Sequence, residues 1–276
     1  MMYSTLGTTK TMMRSTLKFV MTLTVFASSC LIDHARGDDA GGRRVEVTVD
    51  TSDAPAAAAW AGKAKRLVEE WQPIIAAMLP SDGFVPPHKI RLIFKSNMKG
   101  VAYTSGDAIT ISADWIARHP DDAGMVIHEL THVIQSYHHG GPGWLVEGVA
   151  DYVRFFRFEP QSKVRVDPLK ASYRDSYRTT AAFLDWIVEH RDNNFVRELN
   201  QALRDGRYNE TIFKTRTTKN VDELWAEFIA SLSKSGAGRA PRNQRDTGHI
   251  NNTLKTQIRR DAVVYSNFIA GPLGSV

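Results

Sequence analysis

His128-Glu129-Leu130-Thr131-His132 is the stretch that decides how this chain is read. Apolar residues run through and around it. Met125, Val126, Ile127, Leu130, Val133 and Ile134 recur at helical spacing. On a helix, residues i and i+4 share a face about one turn apart. His128 and His132 therefore present two imidazoles side by side. Neutral imidazoles are good ligands for Zn2+, and Glu129, between them, is placed to act on a water held by the metal. HExxH spacing also arises by chance on buried helices, so the residues downstream carry the decision.

A hydrolytic zinc site usually takes three protein ligands and keeps a fourth position open. Three residues compete for the third place. Glu147 leads. It lies in Gly143-Trp-Leu-Val-Glu-Gly-Val-Ala-Asp-Tyr-Val-Arg154, where Leu145, Val146, Val149 and Val153 have helical spacing and Glu147 and Asp151 share a face. Gly148 and Ala150 keep this second helix slim enough to approach a neighbour, and Gly140-Gly141-Pro142 lets the chain turn back to it. His138 is the second candidate, because His128-Glu129-x-x-His132-x-x-Gln135-x-x-His138 follows the metzincin spacing except at Gln135, where that pattern needs a glycine to turn. No methionine follows Met125, so the downstream methionine turn of metzincins is missing too. Asp151 is the third candidate. With Glu147 as the ligand, Asp151 instead accepts a hydrogen bond from a ligand histidine and fixes its tautomer. Gln135, on the motif helix itself, is the other residue expected to support a ligand.

These segments resemble the basic secretory protein family of plants and bacteria. The carrying residues are His128-Glu-Leu-Thr-His-Val-Ile-Gln135, Gly143 to Arg154, and Ser176-Tyr-Arg-Thr-Thr-Ala-Ala-Phe-Leu-Asp185, within a resemblance that covers about residues 44–232. The resemblance implies a zincin-like metallopeptidase domain with a gluzincin-type His-His-Glu site. It also implies that Tyr177 faces the cleft, where a phenol could donate a hydrogen bond to an oxyanion. The linker between His132 and Glu147 is shorter than in better-known gluzincins, so its turn must be tighter.

Despite the family name, the core of this chain is not basic. Of its 35 Lys and Arg, four lie in residues 1–37 and seven in residues 233–276; of its 30 Asp and Glu, those segments hold one and two. The middle keeps 24 basic and 27 acidic residues, a net of −3, and offers no footprint for nucleic acid. Lys10, Arg14 and Lys18 precede the apolar run Phe19–Ala27, which has the length of a signal-peptide core and is too short to span a bilayer. Ala35-Arg-Gly37 is one cleavage site, and Met12 or Met13 would give a more compact signal. The only cysteine, Cys30, lies in this leader, in a weak lipobox-like context, so a metal site in the mature chain must use histidine and carboxylates. The expected organisation is a signal peptide over 1–37, one catalytic domain over 38–232 and a basic, mostly disordered tail over 233–276.

Within the domain, Arg44–Asp50 alternates as a strand and Ala56–Leu79 reads as a long helix, irregular near Pro73. Lys89–Lys95 is a buried strand. Val101–Ser105 and Ala108–Ser112 form a hairpin with a primed turn at Gly106-Asp107. His119-Pro120-Asp121-Asp122 starts the HExxH helix. Helices are expected at Thr179–Glu189, Phe195–Leu203 and Val221–Leu232, after a polar loop from Arg157 to Lys170. The predicted fold is α+β, with helices on one side of a small, mostly antiparallel sheet and the hairpin bordering the cleft. An extended peptide could add to that edge through main-chain hydrogen bonds.

The leading function is a secreted or cell-envelope zinc peptidase, a monomer acting on peptide or protein, with Glu129 as general base. The other class is a secreted wall- or glycan-associated binding protein that keeps the scaffold without turnover. Glu129 separates the two, because a purely structural metal site needs ligands but not that base. Hydrolysis of a non-peptide substrate would use the same chemistry.

Overall fold

The computed structural model describes residues 44–162, 164–175 and 177–236. The signal-like leader, Cys30 and most of the basic tail lie outside these residues.

Strand β1 (Glu46–Asp50) is followed by helix α1 (Ala58–Met78), then strands β2 (Lys89–Lys95), β3 (Ala102–Ser105) and β4 (Ala108–Ser112). Helix α1 buries Ala61, Ala64, Val68, Trp71 and Ile75, the three-four spacing of one helical face. Pro73 sits inside it without breaking it. It lies on the exposed face, where the carbonyl deprived of its donor meets water.

The four strands pair in the order β1-β2-β4-β3. The expectation of a mostly antiparallel sheet is corrected here. Pairings β1/β2 and β2/β4 are parallel, and only β3/β4 is antiparallel. Helix α1 returns the chain to the end of the sheet where β1 began, so β2 must run alongside β1 in the same direction. The hairpin then places β4, not β3, against β2. All five residues of β4 are buried, as a strand with a neighbour on each side and a helix over it requires. The hairpin turn has Gly106 at φ 60° and no positive φ at Asp107, the II′ form of a primed turn. Strand β3 is left as one edge of the sheet, with β1 as the other.

Ser112 ends β4 and caps α2 (Ala113–Arg118), its hydroxyl accepting from Trp115 N at 3.2 Å. Helix α2 ends before Pro120, so the expected start of the HExxH helix at His119–Asp122 is also corrected. That helix, α3, runs Gly124–Gln135 with no acidic residue in its first turn. It packs on α1, β3 and β4 and on the next helix, α4 (Gly143–Tyr152). Most of its circumference is buried, including Thr131 and Gln135. A helix enclosed this way holds its side chains in few rotamers, which a metal-ligand pair requires.

The turn between α3 and α4 uses left-handed residues at Ser136 (φ 44°) and Gly140 (φ 69°). A π-helical turn, Val153–Phe158, extends α4. Helices α5 (Tyr177–His190), α6 (Phe195–Arg204), α7 (Thr211–Thr217) and α8 (Val221–Gly236) complete the described chain, α8 continuing through Ser233. Helix α5 lies against α4 so closely that a Cβ on Gly148 would fall 2.3 Å from Thr180 Cγ2. The residue after Glu147 must therefore be glycine, and the approach fixes α4 in place. Among the described residues, no helix is long and apolar enough to cross a membrane.

Candidate active site

Three donor atoms from two helices meet at one point. His128 and His132 project from successive turns of α3, and Glu147 from the first turns of α4. His128 Nε2 and His132 Nε2 are 3.1 Å apart. Glu147 Oε2 is 3.1 Å from the first and 3.4 Å from the second. Among the described residues this is the one group of three His, Cys, Asp or Glu side chains that could hold a metal ion. Ligands about 2.0–2.1 Å from a tetrahedral zinc ion stand roughly 3.3 Å from one another. The donor set therefore fits such an ion in both chemistry and spacing.

The far nitrogens of both rings are engaged. Asp151, one turn beyond Glu147 on α4, places Oδ1 2.7 Å from His128 Nδ1. Gln135, one turn beyond His132 on α3, places Oε1 2.7 Å from His132 Nδ1. Its amide Nε2 donates to the Val146 carbonyl at 2.8 Å, which fixes the orientation of the amide. With an acceptor on each Nδ1, the neutral form of each ring carries its proton there and has the lone pair of Nε2 facing inward, the tautomer metal binding needs.

Charge is concentrated at this point. Burial works against a charged imidazolium at His128, but hydrogen bonds to Asp151 and Glu147 and the nearby carboxylate charges outweigh it and push its pKa up to about 9. At Glu147, burial favours the neutral acid, and the two histidines outweigh that and bring its pKa down to about 2. The metal-free site thus keeps a cation, a proton, among its three donors.

Glu129 lies between the histidines in sequence and beside them in the cleft, only 8% exposed. Its Oε2 accepts from Thr104 Oγ1 at 2.8 Å. The cleft has a volume of about 800 Å³ and is lined by Ala102, Tyr103 and Thr104 of β3, by the histidines and Glu129 of α3, and by Val146, Glu147 and Tyr177. Tyr177 opens α5 and is 52% exposed. Two other tyrosines are committed elsewhere: Tyr152 accepts from Arg157, and Tyr173 donates to Asp222 at 2.8 Å.

Of the residues singled out in the sequence, His128, Glu129, His132, His138, Glu147 and Tyr177 line this cleft, Asp151 and Gln135 stand behind its histidines, and His138 and Asp151 are not among the three converging donors. His138 lines the cleft with Nε2 3.1 Å from Ser136 Oγ. The left-handed turn that a metzincin-like third histidine would require comes at Ser136, while Gln135 stays helical and buried. Two participants were not found in the sequence. Thr104 carries no local signal, because it meets Glu129 only through the packing of β3 on α3. The Val146 carbonyl is equally invisible until the two helices are side by side.

The arrangement defines a class: an α+β domain whose HExxH helix joins a second helix in a metal-capable His-His-Glu cluster at the edge of a sheet. Residues 33–228 match the profile of the BSP family, described as peptidase of plants and bacteria, and the chain belongs to that family. A comparison with curated proteins gives no match.

Proposed function

We propose that this protein is a secreted, zinc-dependent peptidase of gluzincin type, built on a zincin-like domain and acting as a monomer on peptide or protein substrates. The observation that carries the reading is the spacing of His128 Nε2, His132 Nε2 and Glu147 Oε2, 3.1 to 3.4 Å apart, on the helix that also bears Glu129. The family description supports peptide hydrolysis. The leader over residues 1–37 supports export, and residues 38–232 would form the mature catalytic domain ahead of a basic tail.

Zinc held by His128, His132 and Glu147 would supply Lewis acidity, bringing the pKa of a coordinated water towards neutrality and polarising a carbonyl. Asp151 and Gln135 hold the two imidazoles in the metal-binding tautomer. Glu129 takes a proton from the attacking water and passes it to the leaving amine nitrogen. Strand β3 offers main-chain groups to an extended peptide. Tyr177, which also lines the cleft, donates its hydroxyl to the oxyanion that develops from the scissile carbonyl.

The test is metal analysis of the purified mature protein together with hydrolysis of an unbiased peptide library, with and without chelator. We expect about one zinc per chain and activity that chelator abolishes. Glu129→Gln should keep the zinc and lose activity by roughly 100-fold or more. Zinc retained with no hydrolysis of any peptide by the native protein would favour the binding-protein reading instead.

A further inference from the structure

We propose that Thr104 is the positioning residue for Glu129, tying the proposed general base to the strand along which a substrate would lie. The inference rests on the reading of Glu129 as that base. Thr104 sits in β3, in register with Ile109 of β4. Along β3 the exposure alternates. Tyr103 and Ser105 face solvent, while Ala102 and Thr104 are half-buried, with Thr104 turned towards α3. Its Oγ1 lies 2.8 Å from Glu129 Oε2 and 2.9 Å from the Glu129 main-chain carbonyl.

A threonine hydroxyl has one proton to donate and two lone pairs that accept. With two acceptors of the same residue in reach, that proton goes first to the carboxylate, the stronger acceptor. Once Glu129 has taken a proton from water, the hydroxyl can turn to the carbonyl and accept from the new acid. Thr104 thus keeps a partner for Glu129 on both sides of the transfer. Geometry adds to this. Glutamate has a long side chain with several rotamers, whereas threonine is β-branched and stiff, here on a paired strand. The hydroxyl therefore lends the precision of the sheet to a flexible base. Because β3 also lines the cleft, the same tie sets the distance from the base to a peptide lying on that edge. Misplacement of a reacting group by about 1 Å can cost on the order of 100-fold in rate.

Thr104→Val removes the hydroxyl with little change of shape and suits a strand. Thr104→Ser keeps the hydroxyl. In the zinc-loaded protein, we expect Thr104→Val to lower kcat about 10- to 100-fold, with KM and zinc content unchanged, and Thr104→Ser to recover most of the loss. In a Glu129→Gln background, Thr104→Val should add nothing. Wild-type kcat in Thr104→Val, or equal impairment in Thr104→Ser, would overturn the proposal. A second readout does not need turnover. Acetohydroxamate gives up a proton on binding zinc, and Glu129 is the group placed to receive it. Its affinity, measured by calorimetry, should fall about tenfold in Thr104→Val; equal affinity in the two proteins would also overturn the role. If the native protein binds hydroxamate in this Thr104-dependent way yet cleaves no peptide, the peptidase reading fails and the Thr104–Glu129 tie stands.

Discussion

Gln135 holds His132 from behind: its Oε1 is 2.7 Å from the ring's Nδ1, and its amide reaches across to the carbonyl of Val146 at 2.8 Å. Val146 precedes Glu147. One side chain therefore orients a ligand on the first helix and pins the second helix at the residue next to the other ligand. Asp151, on the second helix, forms a second bridge between the two, through its 2.7 Å bond to His128 on the first.

Both bridges are measurable. Asp151→Ala should weaken zinc binding by about 10- to 100-fold, the usual scale for losing such a partner. Gln135→Leu should weaken it at least as much, and each variant should lower the melting temperature of the metal-free protein, because each loses a helix-to-helix bond. Isothermal titration reads the first effect and thermal melts the second. A Gln135→Leu protein with native zinc affinity would mean that the tie to Val146 does not govern the site.

A metal bound at the proposed site would compete with a proton at His128. In the unfolded chain its pKa returns to about 6.5, below the folded value of about 9. Its stabilising contribution is then fully present below 6.5 and is lost as pH rises through about 9. Glu147 has the opposite sign. Its folded pKa of about 2 lies below its ordinary 4.5, so its contribution is present above 4.5 and is lost as pH falls through about 2. Melts of the chelated protein should therefore show these two groups contributing most between about pH 4.5 and 6.5, with a decline towards pH 9. Zinc affinity should rise over that same alkaline window, by roughly tenfold per pH unit, as the proton on His128 is displaced more easily. Affinity that stayed flat from pH 6.5 to 9 would remove the proton from the metal-free site.

Arg204 holds together the framework behind the cleft. Its buried guanidinium donates to the carbonyls of Ile134 at 2.9 Å, Gln135 at 3.1 Å and Leu79 at 3.1 Å, bonds to Ser81, and lies over the ring of Phe84, 3.7 Å from its centroid. The first two carbonyls are the unpaired C-terminal end of α3, where a cation is favoured. Arg204→Met should cost about 3 kcal/mol of stability by stranding these acceptors. Denaturant unfolding monitored by tryptophan fluorescence would read it. A loss below about 1 kcal/mol would show that water replaces the guanidinium at little cost.

In the proposed mechanism Tyr177 serves turnover and not metal binding. Tyr177→Phe should leave zinc affinity unchanged and lower kcat by roughly two orders of magnitude, as expected for removing an oxyanion donor. Turnover at the native rate would return this tyrosine to a plain role at the start of α5.

The two helices that carry the donor set were legible because their signals are local. Apolar spacing in Met125–Ile134 and Leu145–Val153 marks both, and the i, i+4 pairs His128/His132 and Glu147/Asp151 mark their facing sides. Strand direction was misjudged although a cue existed: the order strand, long helix, strand over residues 44–95 is the pattern of a parallel pair. The alternation in β1 and the obvious hairpin outweighed it. Helix α2 went unseen because Asp121 and Asp122 looked like the start of α3, while the true start signal was Ser112 as an N-cap. Helix α7 is only seven residues long and has no side-chain cap, its one such contact at the start being an Asx turn in which Thr211 N donates to Asn209 Oδ1 at 2.9 Å. Thr104 and Arg204 act across 25 and about 70 to 125 positions of sequence, and no periodicity reports a contact of that range.

The reach of Arg204 bears on when the cleft can exist during synthesis. The residue lies 70 positions after Ile134 and 125 after Leu79, yet it closes the ends of both helices that those residues terminate. A nascent chain that has passed Glu147 already contains all three donors, but it lacks the clasp that sets the end of α3 against the end of α1. Contacts this distant in sequence form late, after the loop entropy between them has been met. The clasp therefore comes from α6, and a chain ending soon after Glu147 would carry all three donors without it.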